Sequence, residues 1–167
     1  MDLIDSFPVK QQMNKHDCSV CVIWCVLNYY GIKVHYRELY RLVNPPTKEG
    51  EGVSGEQISK ILKEFGIKTI SEESNISRLR FFTDSDYPVI VSIQHRKEYN
   101  KAWKRTKKYG HYVVALKISE GKIKYMDPNY GEIHTLSTED FKNRWHDADE
   151  KKIYPNPAII CISDYHK

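Results

Sequence analysis

With 167 residues, 40% of them hydrophobic, the chain carries enough apolar material for one domain with a real core, and a single domain over 1–167 is expected. A formal charge of +4, in a chain that is 29% charged, lacks the concentrated basic stripe of a nucleic-acid binder, so no nucleic-acid partner is expected. The opening MDLIDSFPVKQQ has two acids in its first five residues and no apolar stretch of signal-peptide length. Nothing later approaches the roughly 20 apolar residues of a membrane span, and a cytoplasmic protein is expected.

The first predicted element is a helix over 18–30. Its Val20, Val22, Ile23, Trp24, Val26 and Leu27 cover nearly the whole circumference, the mark of a buried helix. Its lead-in is polar: Asn14, Lys15, His16 and then Asp17, a natural N-cap. Cys18 therefore falls in the first turn, where unpaired N–H groups and the positive end of the dipole favour a thiolate. Helices follow over 36–43 and over 55–65, where Ile58, Ile61, Leu62 and Phe65 recur at helical spacing and Gly66 stops the run. A short helix is expected over 76–82. Two stretches, 44–55 and 94–110, read as surface excursions. The second of them, with Lys97, Lys101, Lys104, Arg105, Lys107 and Lys108, is either a solvated loop or a flap for an acidic substrate or partner.

From residue 88 the period changes. Strands are expected over 88–93, 111–118, 122–127, 132–136 and 158–162, and a helix over 137–145. The short links SEGK and PNYG make the sheet antiparallel. The fold class is α+β, a helical N-terminal half packed on a C-terminal antiparallel sheet.

Four cysteines are present, Cys18, Cys21, Cys25 and Cys161, and three of them share one eight-residue window of a single predicted helix. Free thiols are expected. CSVC has no second pair to complete a zinc site, and neither a metal nor a cofactor is expected. Cys18 is either a small apolar filler or a nucleophile, and a nucleophile needs a base that a third group orients. His16, His35, His95, His134, His146 and His166 lack an evident partner in sequence. His111 opens an apolar strand, and a hairpin turning near residue 119 sets it opposite Asp127. Asp127 equally suits the start of an Asp-Pro turn.

These residues together resemble the C39 family of cysteine peptidases, papain-like domains that remove double-glycine leader peptides in bacteriocin export. The matching features are Gln12, Asp17-Cys18, NYYG at 28–31, EGVSGEQISKILKEFGI at 51–67, PVIV at 88–91, His111 before VVAL, and Asp127-Pro128 with Gly131. The resemblance implies a papain-like fold in which Cys18 is the nucleophile, His111 its base and acid, Asp127 the orienting group and Gln12 the oxyanion donor, with Gln11 as Gln12's competitor for that role. It also implies a peptide or protein substrate cut after a small residue, an amphipathic leader and, for a stand-alone form, a transporter acting in trans. The sequence departs from the family where Ser19 replaces the usual Gly, which narrows the path of a substrate backbone. Amidase or acyltransferase chemistry on the same fold, or a non-catalytic leader-docking domain, are the alternatives.

Overall fold

The computed structural model describes residues 2–95, 97–106, 108–149 and 151–164, so Lys107 and His166 lie outside the described residues. Helix α1 spans Leu3–Ser6, α2 Cys18–Tyr29, α3 Tyr36–Val43 and α4 Gly55–Glu64. Helix α2 is the centre of this half. Val20, Val22, Ile23, Val26 and Leu27 are inaccessible to solvent, as an all-round apolar helix must be. Helices α3 and α4 are amphipathic and bury Leu39 and Val43, and Ile58, Ile61 and Leu62, respectively. Gly66 takes a left-handed φ of +83° just past α4, where a side chain would be strained.

The strands are β1 (Lys68–Glu73), β2 (Val89–Ile93), β3 (His111–Ser119), β4 (Lys122–Asp127), β5 (Glu132–Ser137), β6 (His146–Ala148), β7 (Ile153–Pro155) and β8 (Pro157–Ile162), with helices α5 (Ile76–Asp84) and α6 (Thr138–Arg144) between them. Six strands form one antiparallel sheet in the order β1-β8-β2-β3-β4-β5, and β6 pairs with β7. Alternation along the strands divides the core in two. Ile90, Tyr112 and Val114 join the cluster around α2, whereas Val89, Val91, Val113 and Ala115 join Leu79 of α5 and Phe141 and Trp145 at α6 on the other face. The predicted α+β architecture is the observed one, with α5 and α6 covering the second face of the sheet.

Helix α1, strand β1 and the β6–β7 pair are additions to the expected elements. KTISEE is mostly exposed and shows no apolar alternation, because it is an edge strand paired along its backbone with β8. The 94–110 excursion is tied down at its ends. Gln94, fully buried, donates from Nε2 to the Lys108 carbonyl at 2.6 Å and accepts at Oε1 from Lys108 N–H at 3.2 Å. Arg144 donates from Nε to the Gln94 carbonyl at 2.7 Å and lays its guanidinium over the Trp103 ring at 4.7 Å. No helix among the described residues is long and apolar enough to cross a membrane.

Candidate active site

Cys18 begins α2 and is the one cysteine of the four that is not buried; all four thiols are free. Cys21 and Cys161 are held as thiols. A hydrogen bond with Cys25, reinforced by burial, raises Cys21 far above its ordinary value, and burial pushes Cys161 up to about 12. The expected cap is absent: Asp17 makes no side-chain bond to the helix. Its carboxylate turns back into the lead-in, accepting from the N–H groups of Met13 (3.1 Å) and Asn14 (3.0 Å) and from the Tyr36 hydroxyl (2.7 Å), in full burial. Three donors saturate it better than the single helix N–H a cap would satisfy. The first turn of α2 thus keeps its N–H groups free of a side-chain cap.

His111 meets Asp127 as expected, by a different register. Val114 pairs with Met126 and Ala115 with Tyr125, and a bulge follows between Ala115 and Lys117. Extended by one residue, that ladder sets Val113, not His111, across from Asp127. His111 lies diagonally, two residues along on the same face, within reach of a cross-strand side chain. The turn is tighter than the midpoint at 119 required, because Glu120 and Gly121 both take positive φ, 51° and 70°.

His111 Nε2 and Asp127 Oδ1 are 2.7 Å apart and both residues are buried. Burial works against the imidazolium, but hydrogen bonds from Asp127 and Cys18 outweigh it and raise His111 to about 9. With Asp127 on Nε2, the ring nitrogen left for Cys18 is Nδ1. For Asp127, burial opposes ionisation, and the His111 bond, with help from the Asn129 N–H at 2.9 Å, overrides it and lowers its value. His95, set aside in sequence for want of a partner, packs its ring against that of His111 at a tilt of 48°, with ring centroids 4.9 Å apart. The pairing of Ile93 with His111 brings it there, since residue 95 follows on the same face.

Gln12 and Gln11 are joined to the turn that carries Asp127. Gln12 N–H donates to the Pro128 carbonyl at 2.8 Å, and Gln11 Nε2 to the Asn129 carbonyl at 3.1 Å. Gly131 is required here: its φ is +63°, and a Cβ would stand 2.6 Å from the Gln11 backbone nitrogen. The Gln12 side chain donates from Nε2 to the Asn14 carbonyl at 2.6 Å, while its Oε1 is buried with no partner among the described residues.

Cys18, Ser19 and His111 open onto a cleft of about 1430 Å³ that runs between the two halves. The Tyr112 hydroxyl donates across it to the Val53 carbonyl at 2.7 Å. The Tyr109 ring packs against Gly50 and Gly52, where an added Cβ would come within 3.6 to 3.8 Å of it. The end of the 94–110 excursion therefore touches the 44–55 loop and helps wall the cleft. Ser19 lines the cleft, buried, with its Oγ unpartnered among the described residues. Sequence reasoning missed Asp147, whose Oδ1 accepts from the N–H groups of Gly110 (2.7 Å) and Ala148 (2.8 Å), immediately before His111. It sits in a three-residue strand with no apolar pattern, and nothing in the sequence signals it.

The model of the Peptidase C39 family matches residues 6–148. The chain belongs to this family. Among solved structures, this C39 chain is similar to the peptidase domain of Streptococcus ComA, a bifunctional ABC transporter involved in a quorum-sensing pathway, with 21% identity, 95% of this chain and 99% of that one covered, and a TM-score of 0.72. It is also similar to a putative C39-like peptidase from Bacillus anthracis (16% identity, 96% of each chain, TM-score 0.74). A third is a double-glycine-motif protease from an AMS/PCAT transporter in complex with a leader peptide (16% identity, 93% and 90%, TM-score 0.66). At these identities the likeness speaks to the fold. No curated protein matches the sequence.

Proposed function

We propose that this C39 chain is a cysteine peptidase that hydrolyses a peptide bond after a small residue, with Cys18 as nucleophile, His111 as proton carrier, Asp127 as its orienting group and Gln12 as oxyanion donor. The observation that carries the reading is the buried imidazole of His111, hydrogen-bonded to the Asp127 carboxylate and lining the same cleft as the thiol of Cys18. That arrangement favours a protonated imidazole beside the sulfur.

The Cys18 sulfur adds to the scissile carbonyl carbon, and the oxygen takes the negative charge. The uncapped N–H groups at the start of α2 and the Gln12 amide stabilise that oxyanion, once Gln12 rotates away from the Asn14 carbonyl. His111 then gives its proton to the departing amine, leaving a thioester on Cys18. Water attacks the thioester as His111 accepts its proton, and the acid product leaves as the thiolate–imidazolium pair is restored. A cleft walled by Ser19, Tyr109 and Gly110 favours small side chains just before the bond. An amphipathic leader docked on the helical half is the substrate form most consistent with the family.

Two peptides test this: one with Gly-Gly before the scissile bond, and one with Leu in the last of those positions, cleavage being read by mass spectrometry. Cutting of the first alone is expected. Equal rates would remove the narrow-cleft argument, and cleavage of a small ester or amide with neither peptide cut would move the chain to amidase or acyltransferase chemistry.

A further inference from the structure

The protein as a whole carries +4, yet the cleft is acidic. Among the described lining residues, Glu51 is paired with Lys48, Glu72 with Arg78 and Glu98 with Lys101. That leaves Glu49, Glu56, Asp147 and Asp149 facing Lys15 and Lys108. Three of these carboxylates stand on the rim. Asp147 is the inward one.

Asp147 is fixed in place. Oδ1 is used by two backbone N–H groups, Gly110 and Ala148, so the side chain has one orientation, and Oδ2 has no hydrogen-bond or ion-pair partner among the described residues. Burial, with help from the neighbouring Asp149, pushes the carboxyl above its usual range. Beside it stands Ser92, 1% exposed, whose Oγ also has no partner among the described residues. Both converge on Gly110: a Cβ there would stand 1.8 Å from Ser92 Oγ and 3.0 Å from Asp147 Oδ1. Glycine at 110 lets the backbone just before His111 pack against Ser92 Oγ and the already bonded Asp147 Oδ1, while Asp147 lines the cleft with Oδ2 uncommitted among the described residues. Tyr109 and Tyr154 line the cleft close by, aromatic faces suited to the stem of a cationic side chain.

We infer that Asp147 is a specificity-determining residue, and that its free carboxylate oxygen receives a Lys or Arg side chain of the substrate a few residues before the scissile bond. The inference rests on the proposed peptidase reading for the direction of the peptide. An extended peptide advances about 3.3 Å per residue and a lysine side chain reaches about 6 Å, so with Gly-Gly at the bond the cation is carried by the third or fourth position before it. The substrate class is a peptide with small residues at the cut and a basic residue just upstream.

The test uses full-length protein carrying Cys18→Ala, so that binding is read without cutting, and fluorescein-labelled Gly-Gly peptides with Lys, Gln or Glu placed in turn at those upstream positions. Anisotropy at 0.15 M salt gives Kd. At one position the Lys peptide is expected to bind about tenfold more tightly than its Gln counterpart, with Glu weaker than both. Adding Asp147→Asn, which keeps an acceptor for Gly110 and Ala148, brings the Lys-to-Gln ratio close to one. Should that variant fail to fold, zero-length carbodiimide coupling of the bound Lys peptide to the Asp147-containing protein, mapped by mass spectrometry, reads the same contact. Equal binding of Lys and Gln peptides at every position, a ratio unchanged by Asp147→Asn, or coupling only to rim carboxylates overturns the inference. The same Lys and Gln peptides given to protein retaining Cys18 separate the two readings. Cleavage without charge preference leaves the peptidase standing and removes Asp147, whereas charge-selective binding without cleavage does the reverse.

Discussion

Two helices begin at the cleft and begin differently. Helix α4 starts from Ser54, whose Oγ accepts the Gln57 N–H at 3.2 Å, so its own side chain closes its end. Helix α2 starts from Asp17, whose carboxylate faces away and closes nothing on the helix. A capped end is finished as structure, while an uncapped one holds N–H groups ready for something that arrives later. Of the two ends, the uncapped one carries the accessible thiol and adjoins the imidazole. The contrast separates the part of the cleft that shapes it from the part proposed to react.

The strongest test of that contrast is Cys18→Ala. Peptide hydrolysis is expected to vanish while the melting temperature stays within a few degrees, because a half-exposed thiol packs little against the apolar body of α2. Residual turnover in that variant would end the mechanism. Next in size is Gln12→Ala. A lost oxyanion donor costs about 3 kcal/mol of transition-state stabilisation, so kcat should fall about a hundredfold with KM little changed, and a change confined to KM would assign Gln12 to substrate binding instead.

Asp17→Ala sharpens the comparison from the structural side. Leaving Met13 N–H, Asn14 N–H and the Tyr36 hydroxyl without their acceptor is expected to cost about 3 kcal/mol in urea unfolding. A loss below about 1 kcal/mol would mean that water replaces the carboxylate.

The pH dependence follows from His111 and Asp127. The imidazole is raised from about 6.5 to about 9, so its contribution to stability is complete below the unfolded value and is lost as pH climbs through about 9. Asp127 is shifted the other way, and its contribution, present above the ordinary carboxylate range, is lost as acid carries the pH through its lowered value. Activity is therefore expected to fall off near pH 9 on the alkaline side, and Asp127→Asn should bring that limb to lower pH. An unmoved limb would show that some other group sets it. The smallest effect belongs to the capped helix: Ser54→Ala should cost about 1 kcal/mol of stability, read by denaturant unfolding.

Where a pattern had a period, the sequence was readable. The all-round apolar run of α2 announced its burial, and the periodic spacing of Ile58, Ile61 and Leu62 announced α4. The meeting of His111 with Asp127 was legible from hairpin arithmetic, though the bulge near Leu116 and the tight Glu120–Gly121 turn change the partners from direct to diagonal. What escaped depends on tertiary packing alone. Strand β1 is a polar edge, defined by the backbone of β8. Asp17 looked like a cap because Asp commonly is one, and only the folded lead-in with Tyr36 offers it three better donors. Asp147 and His95 gain their places from strands brought together across long stretches of chain.

The stitching of Gln11 and Gln12 to the Pro128–Gly131 turn also decides when the site comes into being. Gln11 bonds to a residue 118 positions later, and the Tyr30 hydroxyl, at the far end of α2, bonds to the carbonyl of Cys161, 131 positions later. Contacts of such sequence separation form late, and a growing chain on the ribosome holds α2 and Cys18 long before it holds the turn that completes their surroundings. During synthesis the thiol is present without its imidazole or its carboxylate. On the proposed mechanism, a nascent chain cannot act on neighbouring polypeptides before the Pro128–Gly131 turn has been made.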